Sequence, residues 1–208
     1  NFQLRADGEQ LELLRTTDGT LIHGYRPFPP QAPDQSYGVS QSLGDETVLV
    51  PSETEAKYIV PTDTDLGMRW IERAFDDTDW TAAQTGIGYE SSGSNYAPLL
   101  NTRVEAGIPG FYARIRFDLP DVTVISQLNL YMKYDDGFVA YLNGQRVASA
   151  NAPENPEYSS ISTAERRDAD AVMFERFDIS SAKQRLLPTG NILAIHALNR
   201  NASSSDLL

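Results

Sequence analysis

The stretch Tyr134-Asp135-Asp136-Gly137-Phe138-Val139-Ala140-Tyr141-Leu142-Asn143-Gly144 decides the fold class. Asn143-Gly144 separates two apolar runs. Both central residues of a tight hairpin turn need positive φ, which Asn and Gly adopt most easily, so 138–142 and 145–148 are predicted to pair as a hairpin. Upstream, Leu128, Leu130 and Met132 alternate with Asn129, Tyr131 and Lys133, and Asp135-Asp136-Gly137 supplies a second turn. The spacing therefore predicts a three-stranded meander over 128–148.

Strand signals continue outward. Phe111, Ala113, Ile115, Phe117 and Leu119 alternate with Arg114, Arg116 and Asp118, the pattern of a half-buried strand. Further strands are expected at 172–177 and at 191–198. The second is almost continuously apolar, as a strand covered on both faces should be. Helix signals are few: a turn or two over 180–187, capped by Ser180 or Ser181 and stopped by Pro188-Thr189-Gly190, and a short turn over 76–80.

The 208 residues carry 17 Lys and Arg against 29 Asp and Glu, a formal charge of −12. Such a field repels phosphate backbones and anionic lipid, which excludes nucleic-acid and membrane-surface binding from the expected functions. No run approaches the roughly 18 apolar residues of a spanning helix, so no membrane insertion is expected. With no cysteine and only His23 and His196, disulfides, thiolate chemistry and a three-histidine zinc site are all ruled out within this chain. At 40% hydrophobic and 22% charged residues the composition is that of a globular protein.

The chain divides into unequal parts. In residues 1–40, two apolar runs flank Asp18-Gly19, predicting a hairpin, and Pro27, Pro29, Pro30 and Pro33 then halt regular structure. Forty residues bury little core alone, so this part is expected to be the tail of a preceding domain or a strand pair packed on the main one. Residues 41–65, with acids, Pro51 and Pro61, are expected to be a linker, and 66–208 the main domain. Neither end looks native: there is no initiator Met and no signal peptide, and the last residues resemble the start of a strand. The chain is therefore expected to be a piece of a larger polypeptide.

The landmarks of 66–208 come in a recognisable order: Phe75-Asp76-Asp77-Thr78-Asp79-Trp80, Gly86-Ile87-Gly88-Tyr89, the strand at 111–119, the Tyr134 to Gly144 hairpin, Phe177-Asp178-Ile179-Ser180, and Gly190-Asn191-Ile192-Leu193-Ala194. This order resembles the galactose-binding-like jelly-roll superfamily. It is especially similar to the sugar-binding β-sandwich of bacterial β-galactosidases and β-glucuronidases. The resemblance implies an all-β jelly-roll sandwich with an accessory, non-catalytic role. Gly8-Glu9-Gln10-Leu11-Glu12-Leu13, Asp18-Gly19-Thr20 and Gln35-Ser36-Tyr37-Gly38 resemble the C-terminal part of a bacterial lamin-tail-like domain. The pairing implies a secreted or cell-surface bacterial protein.

The resemblance also implies a structural Ca²⁺, since loop carboxylates are what a hard cation takes. Asp76, Asp77 and Asp79 form one candidate set, Asp135 and Asp136 another; the competing reading is turn capping. Asp63-Thr64-Asp65-Leu66-Gly67 mimics half an EF-hand, but Met68 stands where its Gly belongs and Ala74 where its Glu belongs. No spacing selects a catalytic carboxylate pair, and no G-x-S-x-G occurs, so no catalytic residue is assigned. His196, inside the most apolar strand, reads as a core histidine.

Sugars are bound by aromatic faces together with planar amide, carboxylate and guanidinium groups. Tyr89, Tyr96 and Arg103 in the loop 86–110, joined by Asn199 and Arg200, are the candidate ligand-binding residues. The competing reading packs both tyrosines against the sandwich and pairs Arg103 with an acid. Trp70 and Trp80 read as core. The expected function is a carbohydrate-binding-like module whose partner is a glycan. The alternative is a structural or assembly module that docks a neighbouring protein domain through open strand edges.

Overall fold

A computed structural model describes residues 9–28, 30, 46–91 and 96–208. The chain forms two units, Asn1–Glu46 and Thr47–Leu208.

In the first unit, β1 (Glu9–Leu14) and β2 (Leu21–Phe28) pair antiparallel. Asp18 closes the turn by accepting from the Thr20 N–H at 3.1 Å, and Gly19 takes a φ of 69°. The Gln35 to Gly38 part of the lamin-tail-like pattern lies outside the described residues.

The second unit is an all-β sandwich. Its strands are β3 (Glu55–Ile59), β4 (Thr81–Gln84), β5 (Ile87–Glu90), β6 (Thr102–Arg103), β7 (Gly110–Phe117), β8 (Asn129–Met132), β9 (Gly137–Leu142), β10 (Gln145–Ala150), β11 (Glu175–Asp178), β12 (Asn191–Leu198) and β13 (Asp206–Leu207). One layer is a six-stranded sheet in the order β10-β9-β12-β7-β3-β4. Facing it are a β11-β8 pair and a β13-β5-β6 sheet. Between the layers lie Phe111, Ala113 and Ile115 of β7, Phe138 and Ala140 of β9, and Leu193, Ile195 and Ala197 of β12. These pack with Leu130, Ile87, Tyr89 and Leu207 of the opposite layer.

β12 explains the continuous apolar run. It sits at the centre of the large sheet between β9 and β7, and all eight of its residues are buried. Its second face, with Ile192, Ala194 and Leu198, meets a separate cluster built on Trp70, Ile71, Trp80, Tyr112 and Tyr141. Trp70 stacks on Tyr112 at 4.0 Å, and Phe75 meets Trp80 edge-on at 5.7 Å. His196 stands among these rings, with Tyr112 at 4.7 Å.

Four expectations need correction. The meander over 128–148 is broken: β9 and β10 form the predicted hairpin, with Asn143 and Gly144 both at positive φ, but β8 pairs with β11 in the opposite layer. Asp136, at φ 61°, is where the chain changes layers. The expected linker 41–65 belongs to the sandwich unit from Thr47 onward, because the alternating Glu55-Ala56-Lys57-Tyr58-Ile59 joins the large sheet beside β7. The strand expected at 172–177 begins at Glu175, after a helical turn, α1 (Asp168–Ala171). Finally, β7 is not half-buried: Arg114 is inside.

Arg114 is held by an acid from the loop before β4. Its Nε donates to Asp77 Oδ2 at 2.7 Å, and its remaining N–H groups donate to the carbonyls of Trp70, Glu72 and Phe75. Arg116 and Lys57 also approach Asp77, at 3.1 and 3.8 Å. A charge inside a sheet persists only when paired and hydrogen-bonded to this extent.

Candidate functional site

The layer-changing turn at Asp135-Asp136-Gly137 lies at one end of the sandwich, where it fastens several loops. Asp136 Oδ1 accepts from the Arg166 N–H at 3.1 Å, and Oδ2 accepts from the Arg200 N–H at 2.7 Å. Its carbonyl accepts from Asn151 Nδ2 at 2.7 Å. One buried carboxylate thus pins the 160s loop and the segment after β12 to the same place. A short acidic side chain at positive φ does this more readily than a bulky one.

Asp135 is differently placed. It is 2% exposed; its Oδ1 accepts from the Tyr96 hydroxyl at 3.0 Å, while its Oδ2 has no partner among the described residues. Burial, with the nearby carboxylates of Asp136 and Asp206, pushes the Asp135 carboxyl up to about 7. Asp206 is raised by burial and by Asp168, Glu90 and Asp136.

A polar cavity of about 250 Å³ lies here, lined by Asp135, Asp136, Glu165, Arg166, Asp168 and Asp206, with Arg200, Asn201 and Ser204. Arg166 lies over the Tyr134 ring at 4.0 Å and pairs with Glu175 at 2.6 Å, yet its buried Nε has no partner among the described residues. A buried carboxylate oxygen without a donor and a buried guanidinium N–H without an acceptor thus belong to two residues of one cavity wall. Each costs about 1–3 kcal/mol where it stays unsatisfied.

The expected aromatic platform is absent at Tyr89 and Tyr96. Both rings are buried, Tyr96 completely, and neither offers a face to a ligand. Tyr89 donates to the Ser204 carbonyl at 3.1 Å and accepts from Asn199 Nδ2 at 2.8 Å, so this pair joins the loop to the end of β12. Asn199 is itself fully buried. Both tyrosines are thus used in packing the loop against the sandwich. Arg103 is exposed on β6 and does not line the cavity; Arg200 does.

The two acid sets expected to take calcium fare differently. Asp77 is spent on Arg114 and Arg116, Asp76 caps Thr78, and Asp79 is exposed, so this set does not converge on a cation. Asp135 does face the cavity, but both oxygens of Asp136 hold backbone N–H groups. Among the described residues no three metal-binding side chains gather closely enough to hold an ion. The donors therefore do not fit a preformed calcium cage.

Glu165, Arg166, Asp168 and Asp206 were not legible as site residues. They lie between 30 and 71 positions from Asp135 in the sequence, and the fold brings them to the same cavity.

No family model matches this sequence, and no curated protein matches it. Solved structures do. A calcium-binding mutant of Bacteroides uniformis β-glucuronidase 2 aligns at 17% identity over 72% of this chain and 14% of that one, with a TM-score of 0.45. Bifidobacterium dentium β-glucuronidase complexed with coumarin-3-O-glucuronide aligns at 14% identity over 72% and 20%, with a TM-score of 0.44. An uncultured Clostridium sp. β-glucuronidase aligns at 11% identity over 75% and 24%, with a TM-score of 0.41. The chain spans less than a quarter of each of these enzymes. Identities and scores this low transfer neither residues nor ligands, so the fold rests on the strand pairing itself.

Proposed function

We propose that the sandwich is a non-catalytic, carbohydrate-binding module that takes a sugar in the Asp135 cavity. One observation carries the reading: a polar cavity at one end of the sandwich is lined by carboxylates, among them Glu165, Asp168 and Asp206, together with the Arg200 guanidinium and the Asn201 and Ser204 side chains. Carboxylates and a guanidinium on one wall satisfy hydroxyls of a sugar, the first accepting and the second donating. The cavity lies just below the range of about 300–1,000 Å³ typical of small-molecule sites, which favours a monosaccharide or a chain end. The bacterial, secreted or surface setting, and the lamin-tail-like origin of the hairpin, belong to the same proposal.

A glycan array on the full chain tests it. Specific signals that disappear with Asp135→Ala and persist with Arg103→Ala support the cavity as the site. A blank array on folded protein refutes it.

A second reading, a structural or assembly module, is favoured by the outer face of the β8-β11 pair. There Tyr131, Met173 and Phe174 are 46, 63 and 56% exposed, and Lys133 lies over the Phe174 ring at 4.7 Å. If this face docks a neighbouring domain, cross-linking in the parent protein traps a contact at Phe174, and Phe174→Ser abolishes it.

A further inference from the structure

We propose that the layer facing the large sheet has room for one more strand, and that the gap between β5 and β8 takes an extended peptide segment donated by a partner polypeptide. The inference rests on strand geometry and is independent of the sugar reading. β8 pairs on one side only, with β11, from Asn129 opposite Asp178 to Met132 opposite Glu175. The Ile179 N–H donates to the Leu128 carbonyl at 3.0 Å, and bonded pairs alternate along an antiparallel ladder. Leu130 and Met132 therefore turn their backbone groups to β11, whereas Asn129, Tyr131 and Lys133 turn theirs to the opposite edge. Among the described residues no strand pairs with that edge.

β13 measures the gap. Leu207 lies opposite Tyr89 of β5, and on the other side the Leu208 carbonyl accepts from the Asp135 N–H at 3.2 Å, just past β8. One strand thus fills the space between β5 and the end of β8. The Ser91 N–H donates to the Ser205 carbonyl at 2.8 Å, so β5 and β8 both run towards that end and a strand in line with β13 is antiparallel to both. The same alternation aims the Ile87 backbone into the gap. Leu128 and Met132 pack on the main core yet are only half-buried, and a strand along β8 would cover them. Register then sets the occupant's chemistry. Leu207 is fully buried, so in line with it alternate residues of the occupant face the core beside Ile87 and Met132 and are apolar. Those between face outward beside Lys133 and Tyr131, and an acid opposite Lys133 is favoured. Such a strand gains affinity from main-chain bonds and specificity from alternate side chains.

The test is amide NMR and hydrogen exchange on the full chain with the capped peptide Val-Glu-Val-Thr-Val at about 1 mM, a concentration at which even a millimolar Kd is detected. Shifts at Ile87, Tyr131 and Lys133 are expected, with exchange at these amides slowed at least tenfold. Val-Lys-Val-Thr-Val is expected to bind at least threefold more weakly, and Lys133→Glu to reverse that order. Tyr131→Pro deletes the N–H on the open edge while leaving the bonds to β11, so it is expected to abolish binding, whereas Tyr131→Thr keeps both the N–H and the binding. Lys133→Glu is the second variant should the proline variant fail to fold. No shift from the first peptide, or shifts confined to Phe174 or to the Arg200 cavity, overturns the proposal. Protection that appears only when the same peptide is joined to Leu208 overturns the partner as its source, in favour of a strand of the same polypeptide.

Discussion

Replacing Asp77 by Asn removes the anion from the buried pair with Arg114 while keeping its volume. The Arg114 side chain is fully buried, and among the described residues its only ion-pair partner is Asp77, 2.7 Å from Nε. Removing one partner of a buried ion pair typically costs about 3–5 kcal/mol, because the other charge is left uncompensated. For a unit of this size each kcal/mol moves Tm by about 2–4 °C, so the sandwich transition is expected to fall by roughly 6–20 °C. Arg114→Met gives a sharper comparison. It leaves Asp77 with Arg116 and Lys57, but it strips donors from the carbonyls of Trp70, Glu72 and Phe75. Each carbonyl left bare inside costs about 1–3 kcal/mol, so the arginine variant is expected to lose at least as much as the aspartate variant.

Differential scanning calorimetry at pH 7, with urea midpoints as a second measure, reads both effects. Burial pushes the Asp77 carboxyl up, but the Arg114 and Arg116 guanidiniums outweigh it and hold the carboxyl below its ordinary value. Its contribution is therefore present above about pH 4 and is lost as pH falls through the depressed folded value. Asp77→Asn should flatten the acid limb accordingly. If both variants melt within about 3 °C of the parent chain, Arg114 does not clamp the loop to the sheet, and the account of β7 fails.

Three further predictions concern other elements. Burial raises Asp135 to about 7, so its contribution to stability is full below about pH 4 and is lost as pH rises to 7. Asp135→Asn should raise Tm above pH 7 and remove that slope; an unchanged profile by calorimetry would count against a buried, proton-binding Asp135. Gly88 has no room for a side chain, since a Cβ there would lie 1.9 Å from the Leu207 carbonyl oxygen. Gly88→Ala should therefore cost about 1–3 kcal/mol and speed amide exchange at Leu207; protection equal to the parent's would refute the close β5-β13 approach. Desolvation pushes the His196 imidazole down to about 3, so its ring resonances should not move between pH 5 and 8 in an NMR titration. A midpoint inside that window would place the ring in contact with solvent.

The sequence reading succeeded where one local pattern answers to one physical cause. Asn143-Gly144 permits few backbone conformations, and the turn formed where it was expected. The apolar run of β12 needs cover on both faces, and both faces have it. Arg114 shows the limit of alternation. Period two says which residues share a face, but not whether a second layer covers the polar one. Trp70 and Trp80 carried the missing signal, since two indoles before β7 need a surface to bury against, and the face bearing Tyr112 and Arg114 is that surface. In the same way, Tyr89 and Tyr96 fit a sugar platform by residue type alone. Their hydroxyls bond inward, to Ser204 and Asp135, and hydroxyl direction is a property of the assembled end of the sandwich.

Asp136 accounts for both the broken meander and the cavity. Asp135-Asp136-Gly137 looks locally like a hairpin turn, and such a turn would have left β8 beside β9. Instead Asp136 uses its two oxygens on the N–H groups of Arg166 and Arg200, from loops 30 and 64 positions away. Those long-range bonds hold the 160s loop and the segment after β12 at the end of the sandwich while β8 crosses to pair with β11. The same bonds bring Arg166 and Arg200 to the cavity that Asp135 also lines. The layer change and the cavity wall are therefore one structural decision. Substitution of Asp136 by Asn, which can accept but presents only one carbonyl oxygen, should weaken the loop anchoring and the cavity together, whereas Asp135→Asn should leave the loop anchoring intact. Amide exchange at Arg166 and Arg200 separates the two: faster in the first variant, unchanged in the second. Equal protection in both variants would mean that the loops hold their places without Asp136.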